Sequence, residues 1–280
     1  MRRILQSSVR PFFLVLCVAL LAAPAALAHD HPKEHAHDVA EGCKHFGPQT
    51  PRDIDSKKGT NPVVFPEALP STALNLCNMH YHVNAENRSA AFSIPAEGGE
   101  DGIGGGFRCG ISESLSADEL AAYEGNACRK TKPGDTIEMH WVYTSCEVAP
   151  GPGLGSCLSD ACANPSLRVE TQVFTLVNDR DALDFADFAY AGGKVNGKYQ
   201  PPALPTGTGT PVNFLGSTTG PSFSEETCSP LQVSWSVRPE CAKLDIASLS
   251  AWCADNVFDE SKAHGVRALV ENPALLSAID

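Results

Sequence analysis

LNLCNMHYHV at residues 74–83 and TIEMHWVYT at residues 136–144 decide the fold of this chain, because both alternate apolar and polar side chains as half-buried β-strands do. RVETQVFTLV at 168–177 and LQVSWSV at 231–237 follow the same pattern. Loops rich in glycine and proline separate the segments, at 97–106, 148–165 and 192–222. We therefore predict a mainly β (α+β) fold: a single domain built on a central, mostly antiparallel twisted β-sheet, with peripheral short helices and long Gly/Pro loops.

Two parts of the chain have helical signals. Ser116 is followed three residues later by Glu119, a capping-box pattern that predicts a short helix over 116–125. The last 35 residues also have the pattern of peripheral helices, and Pro273 limits the final one.

Three histidines on the first two predicted strands form a candidate metal site. His80 and His82 are two residues apart, so on a strand they point to the same face of the sheet. His140 lies on the second strand, where Glu138 shares its face. Three imidazoles with one open position are the usual ligands of a catalytic zinc, and a carboxylate such as Glu138 fixes the tautomer of a ligand. The structural alternative is three buried, hydrogen-bonded core histidines.

The first 28 residues have the pattern of a secretory signal peptide. An apolar run from Phe12 to Leu21 follows three arginines, and Ala26-Leu27-Ala28 ends it as an Ala-x-Ala cleavage pattern. Its removal leaves 18 of the 21 basic residues against 33 acidic ones, a net charge of −15. This charge disfavours nucleic acid and anionic membranes as partners. We predict an exported protein, periplasmic or secreted, with no membrane contact after signal cleavage.

The residues after the predicted cleavage point divide into a tail and a domain. Residues 29–42 are polar, contain four histidines and lack apolar periodicity, which predicts a disordered His-rich tail able to capture metal loosely. Ten of the eleven cysteines remain after cleavage, and an even number in an exported chain predicts disulfides. No Cys-x-x-Cys pair occurs, so a thiolate zinc cluster is not expected. The cysteine connectivity stays open.

Four blocks of sequence resemble the α-type carbonic anhydrases, in that family's order. MHYH and EMHWV are similar to its zinc-binding strands, with H-x-H followed downstream by E-x-H. GPQTPRDID at 47–55 resembles its early Q-S-P-x-D-I segment, and GSTTGP at 216–221 with VSW at 233–235 resembles its G-S-L-T-T-P-P and V-x-W segments. NMHYHVNAEN and GSTTGP are closer to the δ-type enzymes and their bacterial relatives. The resemblance implies a carbonic-anhydrase-like domain over 43–280.

The resemblance also implies an activity and a role for particular residues. The activity is reversible hydration of carbon dioxide to bicarbonate and a proton, by attack of zinc-bound hydroxide, with Co²⁺ or Cd²⁺ able to replace Zn²⁺. The implied zinc ligands are His80, His82 and His140, with Glu138 orienting the last. The implied gatekeeper hydroxyl is Thr218 or Thr219, paired with Glu86; Val142 and Trp235 would line the substrate pocket, and Cys43 and Cys228 would form a disulfide.

Two other functions fit parts of the sequence. HYHVNAE matches the H-x-H-x₃-E motif of cupin metalloenzymes (oxygenases or isomerases), with Glu86 as a fourth ligand, although Leu74 stands where that motif has glycine. A catalytically silent relative of carbonic anhydrase, acting as a binding protein, is the other alternative. No histidine matches the proton shuttle of the α-type enzymes, and the shuttle stays open, with His45 and the His-rich tail as the candidates. His264 is expected to be an exposed residue near a helix start, and the oligomeric state stays open.

Overall fold

Ten strands and one α-helix form the regular structure of the described part of the chain. The computed structural model describes residues 43, 46–56, 58–98, 105–218, 223, 225, 227–266 and 269–279. These residues lie in one compact unit that spans 34–280. The predicted signal peptide (1–28), the predicted His-rich tail (29–42), His45 and Thr219 lie outside the described residues.

The central sheet has six strands in mixed orientation. The ten strands of the described residues, inside and outside this sheet, are β1 Asn75–Val83, β2 Phe92–Pro95, β3 Phe107–Cys109, β4 Thr136–Thr144, β5 Leu167–Val177, β6 Lys194–Val195, β7 Lys198–Tyr199, β8 Val212–Ser217, β9 Gln232–Val237 and β10 Ala242–Asp245. The order in the sheet is β1-β4-β5-β9-β8, and β10 also pairs with β5. Two hairpins, β2–β3 and β6–β7, lie apart from it.

The prediction of a mainly β fold is confirmed, and the four predicted strands correspond to β1, β4, β5 and β9 within one residue at each end. The pairs β1–β4, β4–β5 and β8–β9 are antiparallel, as predicted for most of the sheet. β9 and β10 instead run parallel to β5, against residues 168–171 and 174–177 of that strand. Parallel neighbours need crossover connections, and the sequence pattern of a single strand does not reveal them.

The two faces of the sheet carry different clusters of side chains. Met79, Tyr81, Met139 and Trp141 alternate with the histidines on β1 and β4, and they pack into a core with the helix α1, Ile246–Ala254. Val142 and residues of β5, β8 and β9 form a second cluster on the other face. The period of two therefore places the histidines of β1 and β4 on the face opposite the larger core.

The helical predictions are only partly correct. Ser116 and Glu119 make both reciprocal capping-box hydrogen bonds, yet 117–120 forms a turn, and the carbonyl oxygens of Glu119 and Ala121 accept hydrogen bonds from Asn178 instead of continuing a helix. In the last 35 residues the α-helix ends at Ala254. Only the 3₁₀ turn Pro273–Leu275 follows it among the described residues. The rest makes single bridges to other segments, a tertiary override of local propensity.

Five disulfides join the ten cysteines of the described residues. The pairs are Cys43–Cys228, Cys77–Cys157, Cys109–Cys241, Cys128–Cys253 and Cys146–Cys162. Four of them close loops of 80 residues or more, so they restrict the unfolded chain strongly.

None of the described helices has the length and apolar character needed to span a bilayer.

Candidate metal centre

The register of β1 against β4 brings the three predicted ligands together. His80 pairs directly with His140, and His82 pairs with Glu138. One nitrogen of each of the three imidazoles lies within 4.8 Å of the others, and we call this group the histidine cluster. Sequence spacing predicted the shared face of His80 and His82, and the antiparallel register adds His140.

The nitrogen spacing in the histidine cluster matches what a tetrahedral zinc requires. His140 Nδ1 lies 3.2 Å from His80 Nε2. Two nitrogens that each lie about 2.0–2.1 Å from a tetrahedral zinc are about 3.3–3.4 Å apart, so both can bind the same ion with little movement. His82 and His140 are 1% and 2% exposed, which keeps competing water away from the ligands. The residues present therefore fit a zinc ion.

The other nitrogen of each ring faces an oxygen that fixes the tautomer. His80 Nδ1 lies 2.7 Å from Asn78 Oδ1, and His82 Nδ1 lies 3.1 Å from the carbonyl oxygen of Gly265. His140 Nε2 lies 3.5 Å from the carboxylate oxygen Oε2 of Glu138, the residue that we expect to orient it. Ligating histidines usually have such partners, and these select Nε2, Nε2 and Nδ1 as the ligand atoms.

Asn78 and Gly265 are the two orienting groups that sequence reasoning missed. Asn78 is two residues before His80 on the same face of β1, so the rule that paired the histidines would have found it. The Gly265 contact is made by a backbone carbonyl from a segment 183 residues away. No sequence motif indicates such a contact.

Two buried carboxylates lie next to the histidine cluster. Glu86 and Glu138 are 3% and 0% exposed, and the backbone N–H of Glu86 donates to Glu138 Oε2 over 2.7 Å. Glu86 Oε1 lies 3.6 Å from His82 Nδ1. This hydrogen bond from the backbone of Glu86 holds the carboxylate of Glu138 beside Glu86. The two acidic residues, which were predicted on separate segments, therefore lie at one site.

A small cavity opens beside the histidine cluster. Its volume is about 30 Å³, room for about one or two water-sized molecules. The lining residues combine the three histidines with mostly apolar side chains: His80, His82, Glu86, His140, Val142, Leu154, Leu167, Val169, Thr218, Val233 and Trp235. All the described residues that we predicted to line the site or to act in it are among these lining residues except Glu138, whose carboxylate lies 3.5 Å from His140 Nε2. The sequence did not indicate Leu154, Leu167, Val169 or Val233.

A much larger open cleft lies next to the segment that contains His264. Its volume is about 800 Å³, and His264 is among its lining residues. The ring of His264 is centred 5.5 Å from that of His80 and 5.6 Å from that of His82. His264 is exposed, as expected, but its position near a helix start was wrong, because its backbone forms a bridge with His82. Glu260 lies 3.1 Å from its Nε2.

Tyrosines flank the ligands along the strands without entering the site. Tyr81 and Tyr143 belong to β1 and β4 but contribute to the core on the opposite face. Burial raises the pKa of both phenols well above the ordinary value of 10, and neighbouring acids, Glu260 and Glu170 respectively, raise it further. Both hydroxyls therefore stay neutral at any physiological pH.

Comparison with known proteins shows the family of the chain. The sequence model of the delta carbonic anhydrase family matches residues 71–248, a span that contains the histidine cluster, Glu86, Glu138 and Thr218. The chain belongs to the delta carbonic anhydrase family. Among solved structures it is similar to an alpha-carbonic anhydrase from Thermovibrio ammonificans in complex with the inhibitor sulfanilamide. That match has 13% identity, covers 82% of this chain and 90% of the other, and has a TM-score of 0.26. No curated protein matches the chain.

Family membership decides against the cupin alternative, which used only HYHVNAE and left GPQTPRDID and GSTTGP without a role. Membership of the delta carbonic anhydrase family leaves the silent relative as the alternative that activity must test.

Proposed function

We propose that this delta carbonic anhydrase is a zinc enzyme that catalyses the reversible hydration of carbon dioxide to bicarbonate and a proton. The observation that carries the proposal is the 3.2 Å separation of His140 Nδ1 and His80 Nε2 at the wall of a small, largely apolar cavity. His80, His82 and His140 would hold the ion. Three protein ligands leave one position for a small molecule, as catalytic zinc sites require.

The bound ion would supply hydroxide at neutral pH, since zinc lowers the pKa of its water to about 7 in carbonic anhydrases. Three neutral imidazoles add no negative charge that would weaken this effect. The oxygens of Asn78 and Gly265 would hold the rings of His80 and His82 in the tautomers that leave Nε2 for the ion, and Glu138 would orient His140 in the same way.

Thr218 and Glu86 would provide the hydrogen-bonding side of the reaction. Both line the cavity, and both are buried, at 8% and 3% exposure. Thr218 would orient the reacting water by accepting a hydrogen bond from it, with Glu86 as the acceptor for the threonine hydroxyl. A fixed orientation of this kind points the oxygen lone pair at the substrate, which is where positioning accelerates a reaction. Thr219 stays the alternative gatekeeper.

The apolar wall would bind carbon dioxide itself. Val142, Val169 and Val233 line the cavity, and the indole of Trp235 lies 5.3 Å from the ring of His140. A linear molecule without a net dipole binds most readily where no polar group must give up water. Bicarbonate is charged and hydrated, so the same wall favours its departure.

The compartment is also part of the proposal. Five disulfides in one chain are typical of an oxidising environment, which supports export to the periplasm or the cell exterior. Co²⁺ or Cd²⁺ would fit the same three imidazoles, because all are divalent and accept nitrogen ligands.

Carbon dioxide hydration by the purified protein tests the proposal, followed with a pH indicator while the bound metal is counted. We expect about one zinc per chain and activity in the wild type, with both lost in His140→Ala. Met139→Ala is the matched control: it shortens a buried side chain of the same strand on the opposite face, and should keep zinc and activity. Zinc bound without hydration would identify a silent relative. Retention of zinc and activity by His140→Ala would refute the ligand assignment.

A further inference from the structure

The segment GPQTPRDID at 47–55 contributes no residue to the histidine cluster or to the lining of the cavity, but it contacts neighbours of Thr218, which does line the cavity. The side chain of Gln49 reaches Ser217 and Ser229, the residues next to Thr218 in the chain and in space. We propose that Gln49 is a positioning residue, whose amide ties Ser217 to Ser229 and thereby holds the hydroxyl of Thr218 in the cavity. The proposal rests on the proposed function for the use made of Thr218.

The amide of Gln49 makes four hydrogen bonds. Its Oε1 accepts from the backbone N–H of Ser229 over 2.9 Å and from Ser217 Oγ over 3.1 Å. Its Nε2 donates to the carbonyl oxygens of Ser229, at 3.0 Å, and Gly47, at 2.9 Å. Gln49 is 3% exposed, and its backbone N–H donates to the carbonyl of Leu275 over 2.7 Å. The amide therefore acts from a fixed backbone, with its hydrogen-bonding capacity filled.

Thr218 directly follows Ser217 in the chain and contacts Ser229 and Leu231. Its Oγ1 lies 3.5 Å from Ser229 Oγ, and its backbone N–H donates to the carbonyl of Leu231 over 3.0 Å. Ser229 is fully buried and bonds to Gln49 through both its N–H and its carbonyl. A change in the position of Ser229 therefore changes the neighbour that the Thr218 hydroxyl faces.

Ser217 is fixed from a second direction by the residue after Gln49. Thr50 Oγ1 donates to the carbonyl of Ser217 over 2.5 Å, and Trp235 Nε1 donates to the same oxygen over 3.3 Å. This close approach needs glycine at the preceding position, since a Cβ on Gly216 would lie 2.9 Å from Thr50 Oγ1 and 3.0 Å from Trp235 Cδ1. The carbonyl of Ser217 is thus held where Thr50, Gly216 and Trp235 pack tightly together.

The amide is chemically required for this arrangement. Methionine has a similar length and shape but neither donates nor accepts at the strength of an amide, and a carboxylate cannot donate to the two carbonyls. Without Gln49, the buried N–H of Ser229 and the two carbonyls lose partners that water cannot easily replace. The disulfide Cys43–Cys228 still tethers the chain beside Ser229, so the loss should displace Thr218 without detaching the segment.

Kinetics and hydrogen exchange on the zinc-loaded full chain test the proposal with a double-mutant cycle. We expect Gln49→Met to lower kcat/KM for hydration by about 10- to 100-fold, the scale of a positioning loss of about 1 Å, with zinc per chain unchanged. In a Thr218→Ala background, the same change should cost about twofold or less, because its effect acts through Thr218. Ser229→Ala removes only one hydroxyl and should act in the same direction with a smaller loss.

Gln172→Met is the matched control. Gln172 is also a fully buried glutamine, bonded to Thr208 and two carbonyls, and it pairs with Met139, on the face away from the histidine cluster. Its loss should destabilise the fold without lowering kcat/KM. An equal loss of activity from Gln49→Met in both backgrounds, or from Gln172→Met, would show a general structural effect and overturn the proposal.

Exchange of the Thr218 amide hydrogen gives a result that does not depend on activity. Its N–H is bonded to Leu231, and we expect its protection to fall about tenfold or more in Gln49→Met but not in Gln172→Met. Unchanged protection would overturn the proposal whatever the activity. If the wild type shows no hydration while protection of Thr218 falls, the proposed function fails and the positioning of Thr218 by Gln49 stands.

Discussion

Replacing Asn78 with alanine should weaken zinc binding without touching a ligand. Asn78 is 1% exposed, and its Oδ1 lies 2.7 Å from His80 Nδ1. Alanine removes that oxygen, so the His80 ring loses its orientation and can take the tautomer with Nε2 protonated. Such an orienting contact typically contributes 10- to 100-fold in metal affinity, which is about 1.4–2.7 kcal/mol. We expect the Kd for zinc, measured by chelator competition, to rise by that factor.

The second hydrogen bond of Asn78 needs its own control. Its Nδ2 donates to the carbonyl of Gly151 over 3.2 Å, and losing this bond lowers fold stability by about 1 kcal/mol. Asn78→Asp loses the same donor but keeps an acceptor for His80. Its zinc affinity should therefore equal or exceed that of the wild type, whereas both variants unfold at lower urea. A Kd for Asn78→Ala within about twofold of the wild type would refute the argument that this contact orients His80.

Three further predictions concern the cavity, a disulfide and a surface ion pair. Val142→Phe should fill the cavity of about 30 Å³ and lower hydration at least about 100-fold, while metal analysis still finds zinc; full activity would exclude this wall as the substrate site. Replacing Cys128 and Cys253 together with serine should cost about 3–5 kcal/mol in urea unfolding, since the bond closes a loop of 125 residues; a loss under about 1 kcal/mol would contradict this. The hydrogen bond from Lys243, followed by the capping contact, lowers the pKa of Glu119 to about 2, so this pair adds stability above the unfolded value of 4.5 and loses it as pH falls towards 2. Lys243→Met should raise that pKa towards 4.5 in a carboxyl NMR titration, and an unchanged pKa would rule out the ion pair as its cause.

The part of the site that depends on local periodicity could be predicted from the sequence. Strand alternation alone placed His80 and His82 on one face, and it placed Glu138 with His140 on another strand. Long, strongly alternating segments allow this because a period of two leaves no choice of face once a strand forms. The register of His80 against His140 could not be derived, since it depends on a long connection between the strands. The resemblance to a known family supplied the set of three histidines but not this register.

The helical predictions failed where distant segments compete for the same backbone groups. The chain around Glu119 has a complete capping box, but Asn178 donates hydrogen bonds to the carbonyl oxygens of Glu119 and Ala121. The chain around His264 pairs its backbone with Tyr81 and Val83 of β1 instead of with itself. Helix propensity is worth well under 1 kcal/mol per residue, so two or three such bonds outweigh it.

The residues that carry the chemistry and the residues that position them differ in how far their contacts reach along the chain. The proposed ligands lie on two neighbouring strands and have a motif, whereas Gly265 and Ser229 contribute mainly backbone atoms, which no side-chain pattern encodes. Backbone groups position a site only when the segments that carry them are themselves fixed. Here the disulfide Cys43–Cys228 fixes Cys228, the residue before Ser229. The disulfide Cys77–Cys157 fixes the 3₁₀ turn that contains Leu154, a lining residue of the cavity. Strand pairing restricts the position of the histidines, and the disulfides restrict the position of the loops that form the rest of the site. Because these segments are restricted in this way, single hydrogen bonds can orient the reacting groups.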